Sequence, residues 1–258
     1  MSQTFGLGAW IQRLPPTQRA DTLAVWRTAL IVTLAIGLAK HVSFAAGLAG
    51  LAAAAAQLMI PLRYALTSDE GDDGIGYGFQ GLRRDLPIVL GLLALTLIPF
   101  WFLHDLWWTL MGVSDGSGST LAIPQGEASA WISQHMTLAG QALAALSMVE
   151  LCAIHLLGVA LPEELFYRGY LQPKLCGLFT DRAIGRGFVW NHGIALAAGL
   201  FALAHFLGEY NPARLGPFFP ALLFGLLRRR SGSIASAVLL HACFNVAGAL
   251  LFAGMVAR

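Results

Sequence analysis

Charge is scarce in this sequence. Only 12% of its 258 residues are charged, whereas 57% are hydrophobic, and the mean hydropathy is +0.65. A soluble domain carries roughly 25% charged residues. Because so few charges cannot cover a water-facing surface of this size, we predict that most of the surface faces lipid. The net charge of +2 is also too small to indicate a nucleic-acid partner.

Cysteine pairs and a signal-peptide pattern are missing as well. The three cysteines are odd in number and form no C-x-x-C spacing, which argues against a disulfide framework and a zinc knuckle, so we predict buried free thiols at Cys152, Cys176 and Cys243. Residues 1–22 are polar, and the first long apolar run begins near Leu23. This start differs from the charged and then apolar pattern of a secretory signal.

Long apolar runs fill the rest of the chain. A transmembrane helix needs about 20 mostly apolar residues, and the candidate spans are 23–40, 42–62, 86–112, 136–161, 191–208, 214–228 and 232–256. The fourth continues through Pro162 to about Lys174, and because proline lacks an N–H and crowds the preceding turn, we predict a kink or break there. The predicted fold is an all-α, polytopic transmembrane helix bundle with seven spans, or eight if the continuation counts separately.

Basic residues in the loops predict the orientation. Loops rich in Lys and Arg tend to stay in the cytoplasm, which places the N-terminus and loops 63–85 and 174–186 inside. The loop 113–135 contains no Lys or Arg and is predicted to lie outside. The chain is therefore expected to be a multi-pass integral membrane protein. We divide its first half into an N-terminal polar segment, 1–22, and membrane spans with their loops, 23–135.

Two carboxylates and a guanidinium lie in the stretch A-L-P-E-E-L-F-Y-R, residues 160–168. A charge at the centre of a bilayer costs about 2.5–3.5 kcal/mol on insertion scales, so it is a candidate functional group. Glu164 and Arg168 are four residues apart and share a helix face, which predicts an ion pair. Glu163 is displaced by about 100° and can point elsewhere. The alternative is a helix end at the headgroup boundary, where such residues are also stable.

Two further helices carry polar side chains within apolar runs. His205 ends F-A-L-A-H, and His241 and Asn245 lie four residues apart in H-A-C-F-N. Taken singly, each is explained by packing or by an interhelical hydrogen bond. Together with Glu163 they can satisfy one another only by converging, because unpaired polar groups are costly in hydrocarbon. A convergent set of this kind suits hydrolysis, with a base to activate water and donors to stabilise an oxyanion.

The three stretches also resemble a known family. E-E-L-F-Y-R, F-A-L-A-H and H-A-C-F-N, in this order, are similar to the E-E-x-x-x-R, F-x-x-x-H and H-x-x-x-N motifs of the CPBP family. This family comprises CAAX proteases and bacteriocin-processing enzymes, which are glutamic-type intramembrane proteases. The resemblance covers about residues 138–250 and identifies 136–258 as a CPBP-like catalytic membrane core.

The resemblance implies a role for each motif residue. It implies a peptide-bond hydrolase in which Glu163 and His205 activate the attacking water. The oxyanion site is implied for His241 and Asn245, and the supporting ion pair for Glu164 and Arg168.

No cofactor is predicted. Zinc remains an alternative, because His205, His241 and a glutamate are suitable ligands, but Asn245 is a poor one. We favour a metal-free glutamate mechanism.

Other protease classes lack their motifs in this chain. The H-E-x-x-H of site-2 metalloproteases, a Gly-x-Ser-Gly within an apolar run and a pair of intramembrane aspartates are all missing from the sequence. The remaining alternative is a non-enzymatic membrane scaffold or a proton-coupled transporter that uses the same carboxylates and imidazoles. A transporter often has paired broken helices, whereas an interruption is predicted here in one span, at Pro162.

The substrate is predicted from composition alone. The Ala-, Leu- and Arg-rich sequence looks bacterial, which favours the bacterial inner membrane and makes a prenylated substrate less suitable. We expect the partners to be the lipid bilayer and a membrane-anchored protein or peptide with a C-terminal sorting tail, cut near its C-terminus.

Overall fold

The computed structural model describes residues 24, 26–28, 30–35, 46–69, 71–110 and 147–256. This part of the chain is mostly helical, as predicted for an all-α fold, and also contains one small antiparallel sheet. The predicted polar segment 1–22 and the predicted outer loop 113–135 lie outside the described residues. Parts of the first predicted span and the beginnings of the second and fourth also lie outside them.

Apart from the short helix Gly71–Ile75, which lies in the predicted loop 63–85, the helices overlap the predicted apolar runs. Their bounds are α1, Ala46–Thr67; α2, Gly71–Ile75; α3, Leu82–Leu110; α4, residues 147–176; α5, His192–Glu209; α6, Phe218–Ser231; and α7, Ala235–Val256. A 3₁₀ turn at Pro212–Leu215 joins α5 to α6. The last three predicted spans, which begin at 191, 214 and 232, correspond to α5, α6 and α7.

The number of membrane spans stays a prediction. In the described residues, α5 alone is both long and apolar enough to cross a membrane. Three other apolar stretches are shorter than the 18 residues taken as the minimum for a span: Trp26–Ala35, Leu51–Thr67 and Ala235–Leu250.

Helix α4 is not broken at Pro162, so of the predicted kink or break, the break does not occur. The helix is continuous from residue 147 to 176, but its winding is π-helical over Ile154–Ala160 and again over Leu165–Leu171. The N–H of Leu161 bonds to the carbonyl of Leu156, five residues back, in place of the usual four. The wider turn leaves room for the proline ring, which would otherwise crowd the preceding carbonyl.

The chain divides into two compact units. The first comprises Met1–Leu82 and Pro162–Ala237, and the second comprises Arg83–Leu161 and Val238–Arg258. The divisions therefore fall within α3, α4 and α7.

The core of the first unit lies between α4, α5 and α6. Helix α5 packs against the end of α4 and against α6, while α1 and α2 pack against the π-helical turn Leu165–Leu171. The core is formed by apolar and aromatic side chains that include Phe166, Tyr167, Leu171, Phe201 and Ala221. Burial of such side chains is the main favourable term in folding.

Asn191 fixes the start of α5. Its side-chain oxygen accepts a hydrogen bond from the Gly193 N–H at 2.8 Å, which is the ordinary N-cap contact. Its side-chain nitrogen donates to the carbonyls of Cys176 at 3.1 Å and Phe179 at 3.0 Å. One side chain thus joins the end of α4 to the start of α5.

The segment between α4 and α5 contains the sheet, which the all-α prediction omitted. Strand β1, Arg182–Gly185, pairs antiparallel with β2, Phe188–Trp190, and the turn uses Arg186 at φ 52° and Gly187 at φ 76°. The guanidinium carbon of Arg230, on α6, lies 4.9 Å from the centroid of the Phe188 ring. Strands of four and three residues are too short to produce a clear alternating pattern.

Gly193→Ala is expected to destabilise the first unit. A Cβ at this position would lie 2.4 Å from the backbone nitrogen of Cys176 and 2.5 Å from the carbonyl carbon of Leu175. Backbone atoms cannot move aside easily, so we expect a loss of about 1–3 kcal/mol, measured as a lower thermal midpoint. Gly199→Ala is the matched control on the same helix, because nothing lies within 4 Å of the added Cβ. Equal midpoints for the two variants would contradict this packing.

The second unit contains most of α3, the first part of α4 and most of α7. Asp85 is fully buried near the start of α3 and forms an ion pair with the Arg84 Nε at 3.2 Å.

All three cysteines are free thiols, as predicted, but only Cys176 is buried. Cys152 is exposed among exposed apolar side chains such as Val149 and Leu157, as expected for a surface that faces lipid.

Candidate active site

The two adjacent glutamates occupy different environments. Both lie in the α-helical turn Leu161–Glu164, between the two π-helical segments of α4. Glu164 is fully buried, whereas Glu163 is partly exposed. π-helical turns occur frequently at functional sites, so the local winding adds to the indication from the residue types.

Arg168 forms the predicted ion pair with Glu164. Its Nη1 lies 3.0 Å from Glu164 Oε1, and both side chains are 0% exposed. Its Nη2 also donates to the Ala221 carbonyl of α6 at 3.2 Å. The guanidinium carbon lies 4.6 Å from the centroid of the Phe201 ring and 5.1 Å from that of Phe224. A buried charge requires such partners, and Arg168 thereby links α4 to α5 and α6.

Gln172 repeats this contact one turn later. Its Nε2 donates to the Gly225 carbonyl at 2.9 Å. Because Gln172 and Gly225 follow Arg168 and Ala221 by four residues each, α4 and α6 run in the same direction through this contact. A Cβ on Gly225 would lie 2.7 Å from the Gln172 Oε1, so glycine permits the close approach. Our sequence reasoning missed Gln172, although its spacing from Arg168 places both on one helix face.

His205 is held in one tautomer by its own helix. Its Nδ1 lies 3.0 Å from the Phe201 carbonyl oxygen. Because a carbonyl oxygen only accepts hydrogen bonds, the neutral ring carries its proton on Nδ1 and its lone pair on Nε2. The ring centroids of His205 and Phe201 are 4.5 Å apart. Phe201 therefore contacts both Arg168 and His205.

The structure places the predicted site residues in two groups. Glu163, Glu164, Arg168 and His205 lie in the first unit, where Glu163 interacts electrostatically with Arg168. His241 and Asn245 lie in the second unit on α7. His241 is buried, Asn245 is partly buried, and their spacing of four residues puts them on one helix face, as predicted. The convergence of all four predicted catalytic residues stays a prediction.

The alternatives to a glutamate base in this region are a metal centre and a cysteine nucleophile. Within the described residues, no three His, Cys, Asp or Glu side chains form a group that could hold a metal ion. The metal-free mechanism stays a prediction. Burial raises the pKa of the Cys176 thiol to about 11. This thiol is therefore protonated near neutral pH, where it is a poor nucleophile.

Comparison with protein families identifies the segment that carries these residues. Residues 145–247 match the family model described as Rce1-like, type II CAAX prenyl endopeptidase. The matched segment contains all three motif stretches, from Glu163 to Asn245. This segment is therefore similar to the Rce1-like family, which confirms the resemblance to the CPBP family and supports a CAAX-type membrane protease. No curated protein and no solved structure matches the chain.

Proposed function

We propose that the protein is an intramembrane endopeptidase. It hydrolyses a peptide bond in a membrane-associated protein or peptide, near the C-terminus of that substrate, with water activated by Glu163 and His205. The observation that carries the proposal is the fully buried Glu164–Arg168 ion pair, which lies next to Glu163 within the segment matched by the protease family. Burying such a pair costs desolvation energy. That cost is understandable if the pair holds the neighbouring Glu163 carboxylate in place.

The proposed mechanism assigns one step to each residue. Glu163 accepts a proton from water, and the water oxygen bonds to the scissile carbonyl carbon. The Nε2 of His205 accepts the hydrogen bond from the second water proton and orients the water. His241 and Asn245 donate hydrogen bonds to the oxyanion that forms. The protonated Glu163 then transfers its proton to the leaving amine, and the C–N bond breaks.

The proposed substrate carries a C-terminal sorting tail. The matched family is described by its action on prenylated CAAX proteins, but the Ala-, Leu- and Arg-rich composition of this chain favours a bacterial inner-membrane protein. We expect an apolar helix at the C-terminus of the substrate to enter the bilayer beside α4 and α5. A cut near that helix would release the substrate from the membrane.

A trimming experiment tests the proposed function. Purified wild-type protein is incubated with membranes from a strain that lacks the gene, and new C-termini are identified by mass spectrometry. We expect wild-type protein to generate trimmed products and His205→Ala to lower the rate by at least about 100-fold, because it removes an acid–base group.

His192→Ala is the matched control, because His192 is exposed at the first residue of the same helix. We expect it to cleave at the wild-type rate. A scaffold or a transporter would yield no trimmed product with any variant. Cleavage by His205→Ala at the wild-type rate would contradict the assigned role of His205.

A further inference from the structure

Tyr167 is held rigidly beside the candidate site. It lies four residues after Glu163 and directly before Arg168, within the π-helical turn Leu165–Leu171. Its side chain is 1% exposed. Its ring makes edge-to-face contacts with Phe166, at a centroid distance of 5.0 Å, and with Phe201, at 5.1 Å. Aromatic contacts of this geometry fix the plane of the ring.

The phenolic hydroxyl is not explained by packing. It is buried and makes no hydrogen bond within the described residues. The Thr33 hydroxyl is the hydrogen-bonding group that acts on it, although the two hydroxyls do not meet in ordinary hydrogen-bond geometry. Phenylalanine would preserve both ring contacts and avoid a buried polar atom without a partner, which costs stability. A tyrosine at this position is therefore less stable than the alternative unless the hydroxyl serves a purpose.

Glu163 is the charged group that this hydroxyl can serve. A spacing of four residues places the two side chains on one helix face, and Tyr167 interacts electrostatically with Glu163. Arg168 also interacts electrostatically with Glu163, and it is itself engaged by Glu164 and the Ala221 carbonyl. Catalytic hydrogen bonds are often long in free enzymes and shorten when the substrate binds.

We propose that Tyr167 is a positioning residue whose phenolic O–H donates a hydrogen bond to the Glu163 carboxylate when substrate and water occupy the site. The bond fixes the carboxylate so that its other oxygen faces the attacking water. No covalent change occurs on Tyr167, because the water proton moves to Glu163 and the water oxygen bonds to the carbonyl carbon. This inference rests on the proposed function and deepens it.

Tyr167→Phe tests the role of the hydroxyl. We expect kcat to fall about tenfold with KM unchanged, because one hydrogen bond to a charged group is lost and substrate contacts are kept. A donor stabilises the carboxylate, so its loss should move the acidic limb of the pH–rate profile to higher pH. The thermal midpoint should stay the same or rise. Tyr170→Phe, on the same helix, should leave kcat and the pH profile unchanged.

A second variant tests the same bond in the opposite direction. A more acidic phenol, introduced as 3-fluorotyrosine at position 167, is a stronger donor and should move the acidic limb to lower pH. Unchanged pH profiles in both variants would overturn the inference.

Two further variants separate the competing explanations. If the hydroxyl only joins helices through Thr33, Thr33→Val would lower kcat as much as Tyr167→Phe does, and the inference would be overturned. Under our proposal, Thr33→Val keeps kcat close to wild type. Glu163→Gln separates this inference from the proposed function. If Glu163→Gln still cleaves the substrate, the proposed function itself fails. If Glu163→Gln is inactive but Tyr167→Phe has the kcat and pH profile of the wild-type protein, only the role of Tyr167 is overturned.

Discussion

Glu163→Gln is expected to lower the rate of peptide hydrolysis by about 100- to 10,000-fold, the range that one general base contributes. Glutamine has the shape of glutamate, but its amide cannot take a proton from water. The Glu164–Arg168 ion pair stays intact in this variant, so the thermal midpoint should be unchanged. The measurement is the initial rate on a substrate identified by trimming, together with a melting curve in the same detergent.

Two other glutamates of the same helix provide the controls for this result. Glu150→Gln changes an exposed residue on the same helix and should cleave at the wild-type rate. Glu164→Gln should lower both the rate and the thermal midpoint, because it weakens a fully buried ion pair. A rate loss without a loss of stability is therefore specific to position 163. Wild-type hydrolysis by Glu163→Gln would remove the proposed mechanism.

Short stretches of the sequence were sufficient to predict features that depend on neighbouring residues of a single helix. A spacing of four residues on one helix is sufficient to predict the contact between Glu164 and Arg168, and the structure contains it. The positions of α5 and α7 follow from apolar runs in the same way. Such features depend on helix geometry and composition, which are visible in a short window of residues.

Contacts between distant segments were not predictable from those windows. Phe201 contacts both Arg168 and His205, yet its place in the F-x-x-x-H motif gave no indication of the contact with Arg168. The π-helical turns around Pro162 also have no simple residue signal, because they depend on how the whole helix packs. The number of membrane spans depends on lipid, and helix length alone leaves it a prediction.

The arrangement around Arg168 explains why an apolar chain retains a buried charge. The guanidinium receives a carboxylate from its own helix, a carbonyl from α6 and an aromatic face from α5. Each of the three helices therefore contributes one partner. Stability alone does not require this, because well-packed apolar side chains often do as well or better. Retention of the charge is consistent with a need to fix Glu163 and Phe201.

Arg168→Met is expected to produce the largest loss of stability, about 3–5 kcal/mol, because it leaves the Glu164 carboxylate buried without its cation. The measurement is the thermal midpoint, with Arg214→Met as the control. Arg214 pairs with Glu209 on an exposed surface, where an ion pair contributes at most about 1 kcal/mol. Equal destabilisation by the two variants would contradict the expectation that the buried Arg168 ion pair matters more for stability than the exposed Arg214 pair.

The double variant Glu164→Met with Arg168→Met separates stability from function. Two apolar side chains avoid the unpaired charge, so the thermal midpoint should recover much of the loss. Hydrolysis should not recover, because the guanidinium that interacts with Glu163 and packs on Phe201 is still missing. A stable but inactive double variant would show that the ion pair is kept for catalysis, whereas recovery of both properties would show that Glu163 works without it.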